Sequence, residues 1–217
     1  MKTDYQKLFE KIQGEIIDFM VSNKIDEFQF KNTAEGFRSV LEYMSGDINS
    51  RLKDKVKRPQ FPVIKEVKDL TSNKFLSKVK SEIPDVYKII EGIQPFKSDD
   101  KWLEDLSNMT NDSKHNSLPI INEEKAVIHG NHIKFVNSDD INIEYLQLDD
   151  KIYKNLEING SNVKYDNMDK IKSGFTFISD NVILYQGTEF NAIKFLTKWL
   201  SRIAEFIKEY EKIKYIL

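Results

Sequence analysis

The stretch of sequence that decides the fold is WLEDLSNMTNDSKHNSLPI, residues 102–120. Its apolar residues recur every three or four positions, as they do on one face of an amphipathic helix. If this helix continues, Asn111 and His115 lie one turn apart on a neighbouring polar face. We therefore predict a helix over residues 100–116 that carries a candidate site and around which the other helices pack.

Three further long helices are predicted from apolar periodicity, over residues 4–22, 33–50 and 189–213. Shorter helices are expected near residues 74–81 and from Pro84 onward. The last long helix has the widest apolar stripe, along about 40 Å at 1.5 Å per residue. Such a stripe needs the helical core, a partner chain or both. Residues 27–31 alternate apolar and polar side chains, which suggests a strand or an extended linker.

The apolar period changes from helix to strand between residues 125 and 186. Alternating segments flank the turn pairs Gly130-Asn131 and Asn159-Gly160, which are typical of two-residue hairpins. We therefore predict an α+β fold in one globular unit. Residues 1–124 and 187–217 would form a helical bundle, and residues 125–186 an antiparallel β insertion packed on it before the last long helix.

Composition limits the kinds of function that the chain can have. It has 217 residues, no cysteine and a formal net charge of −2, so it has no overall attraction to nucleic acid. The absence of cysteine fits a reducing cytoplasm, which is the predicted location. No apolar run approaches the roughly 18 residues that span a bilayer, so no membrane partner is expected.

Metal and cofactor sites are not indicated by the sequence. His129 and His132 flank a predicted turn, but no third ligand lies near them, so exposed turn residues are the favoured interpretation. No glycine-rich phosphate loop or zinc-protease motif occurs either. We predict no metal and no cofactor.

The most basic run of the chain is RLKDKVKR, residues 51–58. Runs of this kind are usually solvated helix ends, but this one is also the best candidate for a local phosphate-binding patch. Arg51, at its start, is therefore a candidate substrate-binding residue. Arg38 and Glu42 precede it on a predicted helix at a spacing of four, which suits either a solvated ion pair or a polar strip facing the helix of His115.

Four short motifs carry a resemblance to a known family. They are FRSVLEY (residues 37–43), QFPV (60–63), IQPF (93–96) and LSNMTNDSKH (106–115). In this order they resemble a group of bacterial helical proteins with motifs close to LRSALDH, FPI, QPY and LNxxDKHR. That group is similar to the HEPN superfamily of small helical bundles. These proteins often dimerise, and they include metal-independent ribonucleases of toxin–antitoxin and phage-defence systems.

The resemblance implies roles for individual residues. His115 matches the HEPN histidine and would be catalytic, with Lys114 beside it and Asn111 one turn earlier. Arg38 and Glu42 match the arginine and acidic positions of the first motif and would contribute to substrate binding. The resemblance also implies a homodimer in which two histidines share one cleft.

Two interpretations of His115 remain open. A neutral imidazole could take the proton from a ribose 2′-OH, whereas a histidine at a helix end can also simply bind the last carbonyl groups. Active HEPN ribonucleases usually have an arginine four to six residues before the histidine, and here those positions are Met109, Thr110 and Asn111. The sequence therefore leaves open whether the protein is an enzyme.

Two functions follow from these interpretations. The first is a metal-independent RNA endonuclease of a bacterial defence or toxin–antitoxin module, with RNA as its partner. The second is a non-enzymatic scaffold or antitoxin-like subunit that binds a protein partner through the last helix or the β insertion. The position of His115 relative to Arg38 and Lys114 would distinguish them.

Overall fold

The helices of the protein are given by a computed structural model, which describes the backbone of residues 2–22, 24–112, 120–128, 131–136, 141–148, 151–159, 162–164, 175–185 and 188–214. Side chains are described for residues 2–22, 24–112 and 191–214. The α-helices of these parts are α1 (Asp4–Ser22), α2 (Glu27–Ser50), α3 (Lys74–Glu82), α4 (Pro84–Gly92), α5 (Trp102–Asp112) and α6 (Ala192–Lys214). A short 3-10 turn, Val67–Leu70, precedes α3.

Helix α2 begins six residues earlier than predicted because of a capping box. The Asp26 carboxylate accepts a hydrogen bond from the backbone N–H of Gln29 at 2.7 Å, and the Gln29 side chain accepts one from the N–H of Asp26 at 2.9 Å. These two bonds satisfy donors that a helix start otherwise leaves without partners. The strand or linker predicted for residues 27–31 is therefore wrong, and its alternating side chains occupy the first turn of α2.

The predicted α+β class is also wrong for the part of the chain with described side chains. This part is 74% helix, and residues 2–22, 24–112 and 192–214 contain no strand. The α+β prediction rested on the alternating segments of residues 125–186, which lie outside this part, and within it the apolar residues keep the helical period. This part of the protein is therefore an all-helical bundle.

The last helix packs on the second one through aromatic side chains. Trp199 is fully buried, and the centroid of its ring lies 6.0 Å from that of Phe30 and 6.3 Å from that of Phe37. Two turns further along α6, the ring of Phe206 makes an edge contact with the ring of Phe61, with 5.4 Å between the centroids. The last helix therefore contacts Phe37 of α2. The wide stripe of α6 is thus covered within its own chain.

The segments between α5 and α6 are described by their backbone alone. Strands are assigned to β1 (Ile120–Ile128), β2 (Asn131–Val136), β3 (Ile141–Leu148), β4 (Lys151–Asn159), β5 (Asn162–Lys164), β6 (Phe175–Tyr185) and β7 (Thr188–Asn191). Their backbones pair antiparallel in the orders β2-β1-β6-β7 and β3-β4-β5 within the described residues. Thr188 pairs with Tyr185, and α6 begins at Ala192, three residues later than predicted.

The chain divides into two compact units. One comprises residues 1–118 and 193–217, and the other comprises residues 119–192. The predicted boundaries, 124 and 187, lie within six residues of these. The predicted packing of the insertion on the bundle, as one globular unit, stays a prediction.

The packing of α2 against α6 leads to a prediction about the free energy of unfolding. Phe37→Ala removes a fully buried ring against Trp199, so we expect the free energy of unfolding to fall by about 3–5 kcal/mol. Phe28→Ala, in the same helix, is the control because its ring is exposed, and its effect should be within about 0.5 kcal/mol. Urea denaturation followed by circular dichroism measures both, and equal effects would contradict the packing.

Candidate functional site

The predicted catalytic residues are only partly described. His115 and Lys114 lie outside the described residues, so their catalytic roles stay predictions. Asn111 lies in the last turn of α5 with its side chain exposed. Nearer the middle of α5, Asn108 accepts a hydrogen bond from Lys65 at 3.4 Å, and Lys65 also pairs with Glu104 at 2.9 Å. The polar face of α5 is thus partly engaged by the segment that follows Phe61.

Arg38 and Glu42 form the predicted ion pair, with 2.9 Å between the guanidinium and the carboxylate. Both side chains also bind the backbone of one residue in the 60–64 segment. Arg38 donates to the carbonyl of Phe61 at 3.2 Å, and Glu42 accepts from the N–H of Phe61 at 2.9 Å. The remaining Nη1 of Arg38 is buried, so a phosphate could not reach it without displacing neighbouring atoms. The pair therefore anchors an extended segment to α2.

The same segment is held from its other side by Gln94, the glutamine of the IQPF motif. Gln94 is fully buried; its carbonyl oxygen accepts a hydrogen bond from the N–H of Ile64 at 2.8 Å, and its amide donates to the carbonyl of Ile90 at 2.9 Å. A buried amide needs such partners, because an unpaired one costs about 1–3 kcal/mol. Three of the four motifs that carry the family resemblance therefore meet at residues 60–64, where they hold the backbone in place.

Arg51 binds the end of the last helix. Its guanidinium donates to the carbonyl of Lys214 at 3.0 Å, and its Nε lies 3.6 Å from the carboxylate of Asp47. The carbonyl groups at the end of a helix have no partners within it, so a cation at that position satisfies one and favours the helix dipole. Arg51 is therefore part of the packing of α2 against α6, and one N–H of its guanidinium is bound to the end of α6.

A group of polar side chains joins α1, α2 and α6 around Arg51, and we call it the Asp47 cluster. Its members are Tyr5, Asp47, Arg51, Tyr210, Glu211 and Lys214. Tyr210 donates from its hydroxyl to Asp47 at 2.6 Å, and the Lys214 ammonium lies 3.4 Å from the same carboxylate. Lys214 also donates to the hydroxyl of Tyr5 at 3.0 Å, and that hydroxyl in turn donates to Glu211.

Burial sets the protonation of this cluster. Burial, together with the hydrogen bond to Asp47, raises the pKa of Tyr210 far above its usual value. Burial and the hydrogen bond to Glu211 raise the pKa of Tyr5 as well. For Lys214, burial favours the neutral form, but the hydrogen bond to Tyr5 and the charge of Asp47 outweigh it and raise its pKa. Both phenols and the ammonium therefore keep their protons at neutral pH.

The chemistry open to the Asp47 cluster is limited by its pairing. Two carboxylates face two cations, and the tyrosines hold protons too tightly to act as general bases near pH 7. A cleft of about 410 Å³ opens beside it, lined in part by Tyr5, Tyr43 and Asp47. The cluster's contacts join the first and last helices to α2, which is the role that its geometry supports.

A second ionic contact joins the start of α5 to α6. Arg202 donates from Nε to the carboxylate of Asp100 at 2.8 Å, and the hydroxyl of Ser98 donates to the other oxygen at 2.8 Å. Burial favours the protonated acid, but these two bonds outweigh it and lower the pKa of Asp100. Asp100 precedes α5, so this contact sets where the helix of the candidate site begins.

Sequence reasoning missed the Asp47 cluster and the role of Gln94. Of the cluster, only Arg51 was identified, and it was assigned to substrate. Arg51 and Tyr210 contact residues 163 positions away in the sequence, and Lys214 contacts Tyr5 at a separation of 209, so no local spacing pattern marks them. Two prolines, Pro59 and Pro62, did indicate an extended segment, but not what binds it.

Comparisons with known proteins identify no relative of this chain. No family model, no curated protein and no solved structure matches this chain. Among the described residues, no group of three or more histidine, aspartate or glutamate side chains is placed to hold a metal ion. Nor does any helix in the described part combine the length and apolar character needed to cross a bilayer. The HEPN resemblance stays a prediction.

The buried tyrosines predict how stability depends on pH. Their folded pKa values are raised above the unfolded value near 10, so their stabilising contribution is present below pH 10 and is lost as pH rises above it. Tyr210→Phe should lower the free energy of unfolding at pH 7 by about 1.5–3 kcal/mol, because a hydrogen bond to a charged group is lost.

Above pH 10 the loss of stability should be shallower in this variant than in the wild type. Tyr43→Phe is the control, because the side chain of Tyr43 is half exposed. Urea midpoints at pH 7, 10 and 11 test the prediction. Parallel pH profiles for Tyr210→Phe and the wild type would contradict it.

Proposed function

We propose that the protein is a non-enzymatic interaction module that pairs with a second copy of its own chain. The observation that supports this is an uncovered apolar face on α1. Ile17, Met20 and Val21 are 51%, 56% and 83% exposed, and Phe28 at the start of α2 is 72% exposed. We call these four residues the α1 patch. Contiguous exposed apolar side chains of this kind are typical of interaction surfaces.

The charged residues that were predicted to bind substrate also support this proposal, because their side chains are engaged within the fold. Arg38 and Glu42 bind the backbone of Phe61, and Arg51 binds the end of α6. A phosphate-binding role would require these groups to leave backbone partners that would then be buried without hydrogen bonds, at about 1–3 kcal/mol each. Three side chains assigned to a substrate are therefore better explained as parts of the fold.

The apolar surface that is available to a partner lies on the first helix and not on the last one. The last helix and the β insertion were the two candidate surfaces for a protein partner, but Leu196, Trp199 and Ile203 of α6 are fully buried in the bundle. The face of α1 with Ile17 and Val21 points away from the side of Ile12 and Ile16, which are buried. Helix α1 therefore uses one face for the bundle and leaves another for a partner.

A second copy fits this face because the face is complementary to itself. If two α1 helices lie antiparallel about a two-fold axis at Ile17, then Ile17 meets Ile17 and Gly14 faces Met20 of the second copy. Gly14 has no atom within 4 Å of the place where a Cβ would lie, so the methionine side chain has room. A two-fold interface requires this kind of reciprocal contact.

The loss of helix stability caused by Gly14 also supports the proposal. Glycine within a helix destabilises it by about 1 kcal/mol relative to alanine, and nothing within the described bundle needs the space at this position. A close approach by another helix is a physical reason for a residue without a side chain.

The affinity should be modest. Stable interfaces typically bury about 1,200–2,000 Å² in total, and four apolar side chains per chain provide the centre of a smaller one. We therefore expect self-association in the micromolar range, near −8 kcal/mol.

Self-association is tested by a charge placed in the α1 patch. Val21→Glu should abolish dimerisation, because each half of the interface would then bury a carboxylate opposite Gln13 of the second copy, with no cation to pair with it. Val67→Glu is the matched control, since Val67 is also apolar and 63% exposed but lies outside the α1 patch. Sedimentation equilibrium should give the wild type and the control a mass that rises from 25.5 kDa with concentration, while Val21→Glu stays at that value. A monomeric wild type at about 200 µM, or equal dissociation of both variants, would overturn the proposal.

The ribonuclease function is tested separately. On the present proposal, neither the wild type nor His115→Ala cleaves single-stranded RNA in the presence of EDTA. If the histidine is a general base, the wild type should instead cleave, and the variant should be slower by about 10²- to 10⁴-fold. Gel analysis of end-labelled RNA, with products examined for a 2′,3′-cyclic phosphate, distinguishes these results. Cleavage lost only in His115→Ala would overturn the non-enzymatic proposal.

A further inference from the structure

The loop after α2 carries the most concentrated positive charge in the described part of the bundle. Residues 53–58 include Lys53, Lys55, Lys57 and Arg58, and all four side chains are exposed. None of the four side chains has a hydrogen bond or ion pair with the described residues. The chain as a whole has a net charge of −2, so this loop is locally opposite in sign to the protein.

We propose that this loop, residues 53–58, is a docking site for the phosphate backbone of a nucleic acid. Phosphates bind lysine and arginine by charge, with release of counterions, and this binding needs no base contact. The proposal does not rest on self-association through the α1 patch, because Val21→Glu leaves the loop unchanged.

The backbone of the loop is held in place before any ligand binds. The buried Asn49 makes two hydrogen bonds to Val56: its amide donates to the carbonyl at 3.0 Å, and its oxygen accepts from the N–H at 2.8 Å. The N–H of Lys53 donates to Glu82 at 2.6 Å, and Leu52 is buried. The loop is thus tied to α2 and α3 at several points, so binding a polyanion costs little loop ordering.

The acidic residue in the loop does not cancel its charge. Asp54 lies 3.5 Å from the ammonium of Lys78 on α3, and Lys78 also donates to the carbonyl of Asp54 at 3.0 Å. The nearest acid of the loop is therefore neutralised by a cation from outside it. Residues 53–58 therefore keep an excess of positive charge even though the Glu82 carboxylate binds the N–H of Lys53, and this excess attracts the phosphates of a nucleic-acid strand.

A nucleic acid fits this surface better than an anionic membrane does. Peripheral membrane binding usually combines cations with exposed apolar side chains that enter the lipid boundary. The described part of this segment offers little apolar surface: Leu52 is buried, and Val56 is its one other apolar residue and is only partly exposed. The loop also presents no aromatic side chain for base stacking, so we expect binding without base preference.

The test measures binding of labelled 20-nucleotide RNA and DNA by fluorescence anisotropy, single-stranded and duplex, at about 50 and 200 mM salt. The loop variant replaces all four cations by glutamine: Lys53→Gln, Lys55→Gln, Lys57→Gln and Arg58→Gln. The matched control makes the same change of net charge at exposed lysines elsewhere: Lys7→Gln, Lys11→Gln, Lys88→Gln and Lys212→Gln.

The wild type and the control should bind alike, with affinity falling as salt rises. The loop variant should bind at least tenfold more weakly at 50 mM salt. The slope of log K against log salt should become shallower by about 2–3, because each phosphate contact on a single strand contributes roughly 0.7. Thermal unfolding should be the same for both variants, since all eight side chains are exposed.

Three results would overturn the proposal. An equal loss in the control would assign the binding to net charge rather than to the loop. If the wild type bound no oligonucleotide at 50 mM salt, the loop would not be a nucleic-acid-binding site. Binding of the wild type to phosphatidylserine vesicles but not to oligonucleotides, lost in the loop variant, would assign the loop to a membrane surface instead. The affinities of the wild type for RNA and for DNA of the same sequence then show which nucleic acid it binds more tightly.

Discussion

The burial of Trp199 between Phe30 and Phe37 is the contact on which the bundle depends. It joins a helix near the end of the chain to one near its beginning, although residues 119–192 between them belong to another compact unit. The entropic cost of closing such a loop grows only slowly with its length, so a long insertion is tolerated if the closing contact is strong. A fully buried indole between two aromatic rings provides such a contact.

Polar contacts then fix the geometry that the apolar core leaves open. The Asp47 cluster sets the position of the C-terminal end of α6 relative to α1 and α2, and Arg202 with Asp100 sets the start of α5. The segment of residues 60–64 is held by Arg38 and Glu42 on one side and by Gln94 on the other. Hydrogen bonds have directions, whereas apolar burial does not, so these contacts select one arrangement among several with similar buried area.

These contacts change the functional interpretation of the chain. A cation and an acid one turn apart, followed by a histidine, resemble a substrate site when only their order is known. In the folded protein Arg38, Glu42 and Arg51 bind backbone groups, and each would leave a buried partner unsatisfied if it moved. The surfaces that remain uncommitted are the apolar α1 patch and the basic loop 53–58, and these are where we place the interactions of the protein.

The sequence by itself determined the features that depend on neighbouring residues. The first helix was predicted at its observed bounds, Asp4–Ser22, and the helix that starts at Pro84 was also predicted correctly, because apolar period and proline act within a few residues. The start of α2 was wrong because the capping box of Asp26 and Gln29 was not recognised. Only the tertiary structure decided which charged side chains are occupied and which apolar face is exposed. The partners of Arg38 and Arg51 lie 23 and 163 residues away, and whether a stripe such as that of α6 or α1 is covered depends on the element packed against it. No local pattern contains that information, because it arises only when distant segments meet.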